Sequence, residues 1–310
     1  MSFNVAYRGI KKEGRRGGVE VIYHLMSEVF GEVEGAEDSS HIVSFWPPLS
    51  VILIIKNIFN SRRVICYEHF DIKYVSLRWR FIRRLVYPLA DEVVCITNSQ
   101  LEYYATFVPR KKLHLIPNPV SENTTLGGNK KKRQFLYVGH LRKLKRVDAL
   151  IHAFAQIRRS DVGHDWVLKI VGDGDEKKQL QELCGKLSIG DHVIFAGYKS
   201  DTKADFEESA VFVLPSVTEG LPMVVLEAMN SDCFVIVSEY GPAVREIVQP
   251  YKNGLIVSDI GDLGDALRMA AGVFEECGSV YRFFLQNARK VKDDFSQSSF
   301  ESRWRNLLEK

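Results

Sequence analysis

Short apolar runs alternate with longer amphipathic stretches along most of the chain. In the first part, Phe3–Tyr7, Ile42–Phe45, Arg63–Tyr67, Glu92–Ile96 and Leu113–Ile116 read as strands. Val19–Phe30 reads as a helix, with Val21, Ile22, Leu25, Met26 and Val29 on one face. Glu32–Ser40 is polar and reads as a surface loop, and Pro47–Pro48 as a break. Val51–Phe59 suits a buried helix, or by its length a strand; Val75–Leu89 and the segment from Gln100 suit helices. The second part is more regular. Strands are expected at Phe135–Val138, Trp166–Val171, His192–Phe195, Val211–Leu214, Phe234–Val237 and Leu255–Val257. Helices are expected at Val147–Ile157, Glu176–Leu187, Asp205–Glu208 (ending near Ala210), Pro222–Met229, and from Leu263 onward. Alternation of this kind predicts parallel sheets covered by helices on both faces. The polar segment 121–133, with Gly127–Gly128–Asn129, marks a linker between an α/β domain over 1–120 and another over 134–310. The last helix has room to pack back on the first domain.

Composition narrows the class. At 310 residues and 45% hydrophobic, the chain suits two domains rather than one core, and is not a disordered polymer. The 42 Lys+Arg against 39 Asp+Glu leave +3, too small a field for a nucleic-acid binder. Cys66, Cys95, Cys184, Cys233 and Cys277 are odd in number and scattered. They form neither a disulfide framework nor a thiolate metal site, and read as core fillers in a reduced compartment. Met1–Gly9 lacks the apolar core of a signal peptide, and Val51–Ile55 is far short of a membrane span. Arg78, Arg80, Arg83 and Arg84 surround Trp79 and Phe81. They are either a patch for an anionic membrane or a solvated helix face.

Several segments carry candidate chemistry. Ser216–Met229 runs from a strand end through Gly220 into a helix that accepts Pro222 near its start. Free N–H groups at such a start can hold a diphosphate. Glu219 and Glu227 flank it and would repel phosphate unless each accepts from hydroxyls, as on a sugar and a ribose. Gly139–His140–Leu141–Arg142–Lys143–Leu144–Lys145–Arg146 follows a strand. Its Arg142 or Lys145 can neutralise a departing diphosphate, or the segment is an ordinary basic turn. Gly17–Gly18 is half of a dinucleotide fingerprint and no more, which argues against a dehydrogenase. Asp173–Gly174–Asp175 suits a strand-to-helix turn with a capping Asp better than a metal site. His69, at a strand end after Glu68, points either to a cleft or to a core.

Taken together these blocks resemble the retaining glycosyltransferase family 4, of the GT-B fold. Glu219 to Glu227 resembles its E-x7-E motif, set in Pro215–Ser216 and Leu226–Glu227–Ala228–Met229. Ile116–Pro117–Asn118–Pro119–Val120, Gly172–Asp173–Gly174, Phe195–Ala196–Gly197–Tyr198, Gly241–Pro242 with Arg245–Glu246–Ile247–Val248, and Asn253–Val257 follow in order. The resemblance implies two Rossmann-like domains facing across a cleft, the first for an acceptor and the second for a nucleotide-sugar donor. It implies that Glu227 accepts from ribose hydroxyls, Glu219 holds the donor sugar, and Lys145 binds phosphate. Gly139, His140 and Arg142, with Gly220, Leu221 and Pro222 at the helix start, would face the diphosphate or sugar. Gly197 and Tyr198 would border the base, Gly18 would lie near the donor phosphate and, with Gly17, near the acceptor, and His69 would meet the transferred sugar or the acceptor. His140 stands where the family commonly has arginine, Asn230–Ser231–Asp232 replaces Ala-x-Gly, and the first domain is short, without a strand–helix unit between Phe30 and Ile42.

The implied reaction moves a hexose or N-acetylhexosamine from a UDP-sugar to a saccharide or lipid-linked saccharide, with no metal and no further cofactor. Its setting is polysaccharide or lipopolysaccharide assembly, cytoplasmic or peripheral at the inner face of the cytoplasmic membrane. A nucleotide-sugar epimerase or hydrolase, or a non-catalytic binding subunit, are the alternatives.

Overall fold

The computed structural model describes residues 41–58, 63–69, 75–120, 131–276 and 278–309. The expected strand Phe3–Tyr7, the helix Val19–Phe30, Gly17, Gly18, Cys277 and most of the polar linker lie outside the described residues.

Four parallel strands build the first sheet in the order β1 (Ile42–Ser44), β2 (Val64–Glu68), β3 (Glu92–Cys95) and β4 (Leu113–Leu115). Register runs through Ile42↔Val64, Cys66↔Val93 and Val94↔His114. All of β2 is buried, which accounts for its unbroken apolar reading up to Glu68. The helices are α1 (Pro47–Asn57), α2 (Leu77–Val86) and α3 (Asn98–Ala105). The break expected at Pro47–Pro48 is instead the first turn of α1. Proline lacks an N–H that would go unpaired there anyway.

The second sheet has six parallel strands. In chain order the elements are β5 (Lys132–Val138), α4 (Val147–Ile157), β6 (Val167–Val171), α5 (Lys177–Lys186), β7 (Val193–Gly197), α6 (Lys203–Glu208), β8 (Ser209–Leu214), α7 (Met223–Asn230), β9 (Phe234–Ser238), α8 (Pro242–Ile247) and β10 (Leu255–Val257). α9 (Leu263–Glu276), α10 (Gly278–Val291) and α11 (Gln297–Leu308) follow. Four local expectations change. β5 starts at Lys132, inside the expected linker, where Lys131 Nζ donates to the Phe206 and Ser231 carbonyls at 2.8 and 2.5 Å. Ser209 and Ala210 are buried strand residues rather than a helix end. Pro222 is the residue before α7, in extended conformation, so the helix begins at Met223. α8 was not expected; its six residues are too few to show a helical period.

Spatial order in this sheet is β10-β9-β8-β5-β6-β7. The chain leaves β5 toward one edge and returns to β8 on its other side. The crevice between β5 and β8 is therefore a topological switch point, where ligands of open α/β sheets bind. α11 lies against the first sheet: the Trp304 ring meets Tyr67 edge-on at 5.4 Å, and Arg303 donates to the Leu115 carbonyl at 3.2 Å. Cys66, Cys95, Cys184 and Cys233 are buried free thiols. Burial pushes Cys184 and Cys233 up to about 11, so they pack as neutral groups.

Candidate active site

Three glycine turns lie side by side beyond β5, β6 and β7. Gly139, Gly172 and Gly197 have φ of 155°, 143° and 72°. A Cβ on Gly172 would sit 1.9 Å from the Gly139 carbonyl oxygen, so only glycine fits. Gly172 N in turn donates to the Gly197 carbonyl at 2.8 Å, and Leu141 N to the Asp173 carbonyl at 2.9 Å. Asp173 is not the residue capping α5; its carboxylate accepts from Gly174 N and pairs with Lys177, both locally. Among the described residues no group of three His, Cys, Asp or Glu is placed to hold a metal.

The β5 and β8 loops meet over the switch point. Val217 N donates to the Leu144 carbonyl at 2.9 Å, and Lys145 Nζ reaches Glu219 Oε1 at 2.5 Å. Lys145 ends a single 3₁₀ turn that Arg146, in left-handed conformation, breaks before α4 begins. Both members of the pair are half-buried, so the attraction is screened less than at a free surface. Among the described residues no side chain caps the start of α7, which follows β8 at the crevice, so no cap takes up its first N–H groups. Glu227 lies one turn into α7, and burial holds its carboxyl above the usual range. Leu221 and Pro222 are buried and fix the loop, whereas His140 and Arg142 are exposed. The Tyr137 hydroxyl donates to the His140 carbonyl at 3.0 Å and fixes that backbone. Tyr198 is 74% exposed, two strands from the crevice.

The first domain supplies the opposite wall. His69 follows β2, and its carbonyl oxygen lies 2.9 Å from where a Cβ on Gly220 would stand. The His69 ring packs on Tyr67 at 4.2 Å and Phe45 at 5.7 Å. Its Nε2 is buried without a hydrogen-bond partner among the described residues, and burial lowers its pKa below the usual 6.5. A neutral imidazole with one free polar atom suits a hydroxyl-bearing ligand. Beside it a cleft of about 610 Å³ is lined by Trp46, Pro47, Val75 and Trp79 from the first domain and by Leu144, Thr218, Glu219 and Gly220 from the second. Sequence reasoning misses Trp46; its position just past a strand end is the one signal that marks it.

The basic face of α2 is corrected. Arg83 is buried, 3.2 Å from Glu68 and donating to the Tyr104 hydroxyl at 2.9 Å. Glu68 also accepts from the Tyr87 and Tyr104 hydroxyls at 2.6 and 2.9 Å. That network fixes α2 and α3 beneath His69 and leaves Arg83 no part in a surface patch.

Comparison with known proteins supplies relatives. Residues 38–124 match the family model "Glycosyltransferase Family 4", and residues 122–268 match "Glycosyl transferases group 1". A Campylobacter jejuni protein is 26% identical over 272 residues, which cover 87% of this chain and 74% of its own. It is named GalNAc-alpha-(1->4)-GalNAc-alpha-(1->3)-diNAcBac-PP-undecaprenol alpha-1,4-N-acetyl-D-galactosaminyltransferase. Among solved structures, Anabaena Alr3699/HepE in complex with UDP and glucose superposes with a TM-score of 0.78 at 16% identity, over 94% of this chain and 83% of that one. S. aureus TarM (a point mutant, in complex with Fondaparinux, alpha-GlcNAc-glycerol and UDP) gives 0.75 at 18%, over 93% of this chain, which spans about three fifths (58%) of that one. With two parallel α/β domains facing across a cleft, this chain is a GT-B-fold relative of the family 4 and group 1 glycosyltransferases.

Proposed function

We propose that the chain is a retaining glycosyltransferase that moves a hexose or N-acetylhexosamine from a UDP-sugar to a saccharide or lipid-linked saccharide acceptor in surface-polysaccharide synthesis. The observation that carries this reading is the Lys145–Glu219 pair at the switch point, set opposite the unpartnered His69 Nε2. A sugar diphosphate offers both members what they need: phosphate oxygens for Lys145 and hydroxyls for Glu219. The names of the relatives support the same class of reaction.

In the reaction the bond from the anomeric carbon to the phosphate oxygen breaks, and its electron pair leaves with the diphosphate. The acceptor oxygen bonds to the same face, and its proton passes to the departing phosphate oxygen, so no general base is assigned. Lys145 and the start of α7 offset the negative charge that develops. Glu219 orients the sugar, and Glu227 accepts from the ribose. His69 meets the sugar as a neutral group, and the facing domains exclude water. The test is a binding screen of UDP-glucose, UDP-galactose and their N-acetylhexosamine counterparts, then product analysis by NMR over a saccharide acceptor panel. One bound donor and an α-linked product from that α-donor are expected. Only free sugar, an epimerised donor, or binding without turnover would each overturn the reading in favour of a hydrolase, an epimerase or a binding subunit.

We also propose that α2 seats the enzyme on an anionic membrane. Leu77, Phe81 and Leu85 recur every fourth residue and are 79%, 64% and 60% exposed. Exposed Arg78 and Arg84 flank the stripe, and the helix holds no acidic residue. Apolar insertion with basic flanks suits a bilayer interface. No described helix is long and apolar enough to cross a membrane. Co-sedimentation with phosphatidylglycerol vesicles, lost in Phe81→Ser/Leu85→Ser, is the expected result; equal sedimentation of both proteins would refute it.

A further inference from the structure

One side chain of the second domain completes a helix of the first. α3 begins at Asn98, after an N-cap, Thr97, whose hydroxyl accepts from Gln100 N at 3.2 Å. The two N–H groups before Gln100 donate elsewhere: Asn98 N to Glu246 Oε2 at 2.7 Å, and Ser99 N to Glu246 Oε1 at 3.0 Å. Asn98 Nδ2 adds a third bond, to Oε2 at 3.2 Å. A helix start leaves such donors unpaired and carries partial positive charge, so a carboxylate there is held by charge-assisted bonds. Glu246 gains nothing comparable at home. It is the penultimate residue of α8, where the helix end is partially negative.

The contact borders the proposed site. Thr97, Ser99 and Gln100 of the first domain enclose a cavity of about 30 Å³ with Glu219, Gly220 and Tyr240 of the second. The Tyr240 hydroxyl is buried without a hydrogen-bond partner among the described residues, at the root of the loop that leads into α8. Arg245 pairs with Glu239 in the same loop, which leaves the neighbouring carboxylate of Glu246 for α3. One residue with three hydrogen bonds thus joins the two domains at the edge of the cleft.

We infer that Glu246 is a positioning residue: its carboxylate clamps the start of α3 to the second domain and holds the His69 wall against Glu219 and Lys145. The kinetic consequence rests on the glycosyltransferase reading; the structural consequence does not. The experiment compares Glu246→Ala, Asn98→Asp and the double variant Asn98→Asp/Glu246→Gln in the full chain. Aspartate suits the first turn of a helix by itself, so Asn98→Asp leaves α3 intact and repels only Glu246. In the double variant the new side-chain amide on α8 can donate to the new carboxylate on α3, which restores a bridge. Small-angle scattering measures the separation of the domains, calorimetry the UDP affinity, and steady-state rates the transfer. Both single variants are expected to enlarge the radius of gyration and to lower kcat by about tenfold, while UDP affinity stays within about twofold, because Glu227 and Lys145, proposed to hold the ribose and the phosphate, both lie in the second domain, away from the clamp. The double variant is expected to recover compactness and most of the rate. Unchanged scattering in both single variants, or a double variant no more compact than Asn98→Asp, would overturn the clamp. If the wild-type chain binds UDP but transfers no sugar, the proposed function fails, and the scattering cycle still decides the clamp.

Discussion

Lys145 and Glu219 satisfy each other at 2.5 Å, so under the proposed function a donor would replace one ion pair with two separate sets of contacts. A diphosphate alone can take Lys145, but only a sugar gives Glu219 new partners. Glu219→Gln keeps the shape of the side chain and loses the charge. It is expected to lower turnover by about 10²-fold, while UDP titrations show nearly wild-type affinity; parallel losses would remove Glu219 from the sugar subsite. Glu227 illustrates a different balance. Burial raises its pKa above 4.5, so the native chain keeps a proton that the unfolded chain has already lost. The stability present at low pH is therefore lost as pH rises through that window, and stays lost at neutral pH. Glu227→Gln is expected to raise the melting temperature at pH 7 by about one to two degrees. It should match wild type below the carboxylate range and weaken UDP binding. Both glutamates were legible as a motif, because their spacing and flanking residues are local. Their partners were not, since Lys145 and Glu219 stand 74 residues apart.

Helix α2 shows where reading a charge run as one face fails. Successive residues turn by about 100° on a helix, so Arg83 stands about 40° from Trp79 and about 140° from Arg78. Arg83 and Trp79 therefore line the cleft together, while Leu77, Phe81 and Leu85 face outward with Arg78 and Arg84. The composition of the run was plain in the sequence; the identity of its inward partner, Glu68, was not. Removing Arg83 leaves that carboxylate buried among two tyrosine hydroxyls without a counter-ion. Arg83→Met is expected to cost about 3–5 kcal/mol in urea unfolding, against less than about 0.5 kcal/mol for Arg78→Gln on the outer face. Equal effects would mean that the two arginines share an environment. At the same scale, alternating strands and helices identified nearly every described element of the second domain. The exceptions, α8 and the short join from α6 to β8, are too brief for periodicity to register.

Across the whole molecule, local pattern predicted parallel sheets but not their spatial order, and the order is what creates the crevice between β5 and β8. The bridges between domains are likewise long-range: Glu246 and Asn98 are separated by 148 residues. A second bridge forms where the chain after β10 returns to the first sheet. Trp304 of α11 is buried, edge-on to Tyr67 at 5.4 Å and near Phe300 at 6.2 Å. Tyr67 itself is fixed by its hydroxyl, which donates to Asn118 Oδ1 at 2.7 Å and lies 3.1 Å from the Ile116 carbonyl, just before the crossing to the second domain. On either side, Arg63 donates to the Leu307 carbonyl and Arg303 to the Leu115 carbonyl. Apolar residues of β2 and β3 are consequently continuous with the core of the second domain. Trp304→Ala should therefore do more than open a cavity worth about 3–5 kcal/mol. It removes the packing that makes the two sheets unfold together, so calorimetry is expected to resolve two transitions where the wild-type chain shows one. UDP should then raise only the transition of the second domain, because a ligand stabilises the unit that binds it. A single, merely lowered transition would show instead that the clamp at Glu246 and the contacts of the cleft suffice to couple the halves.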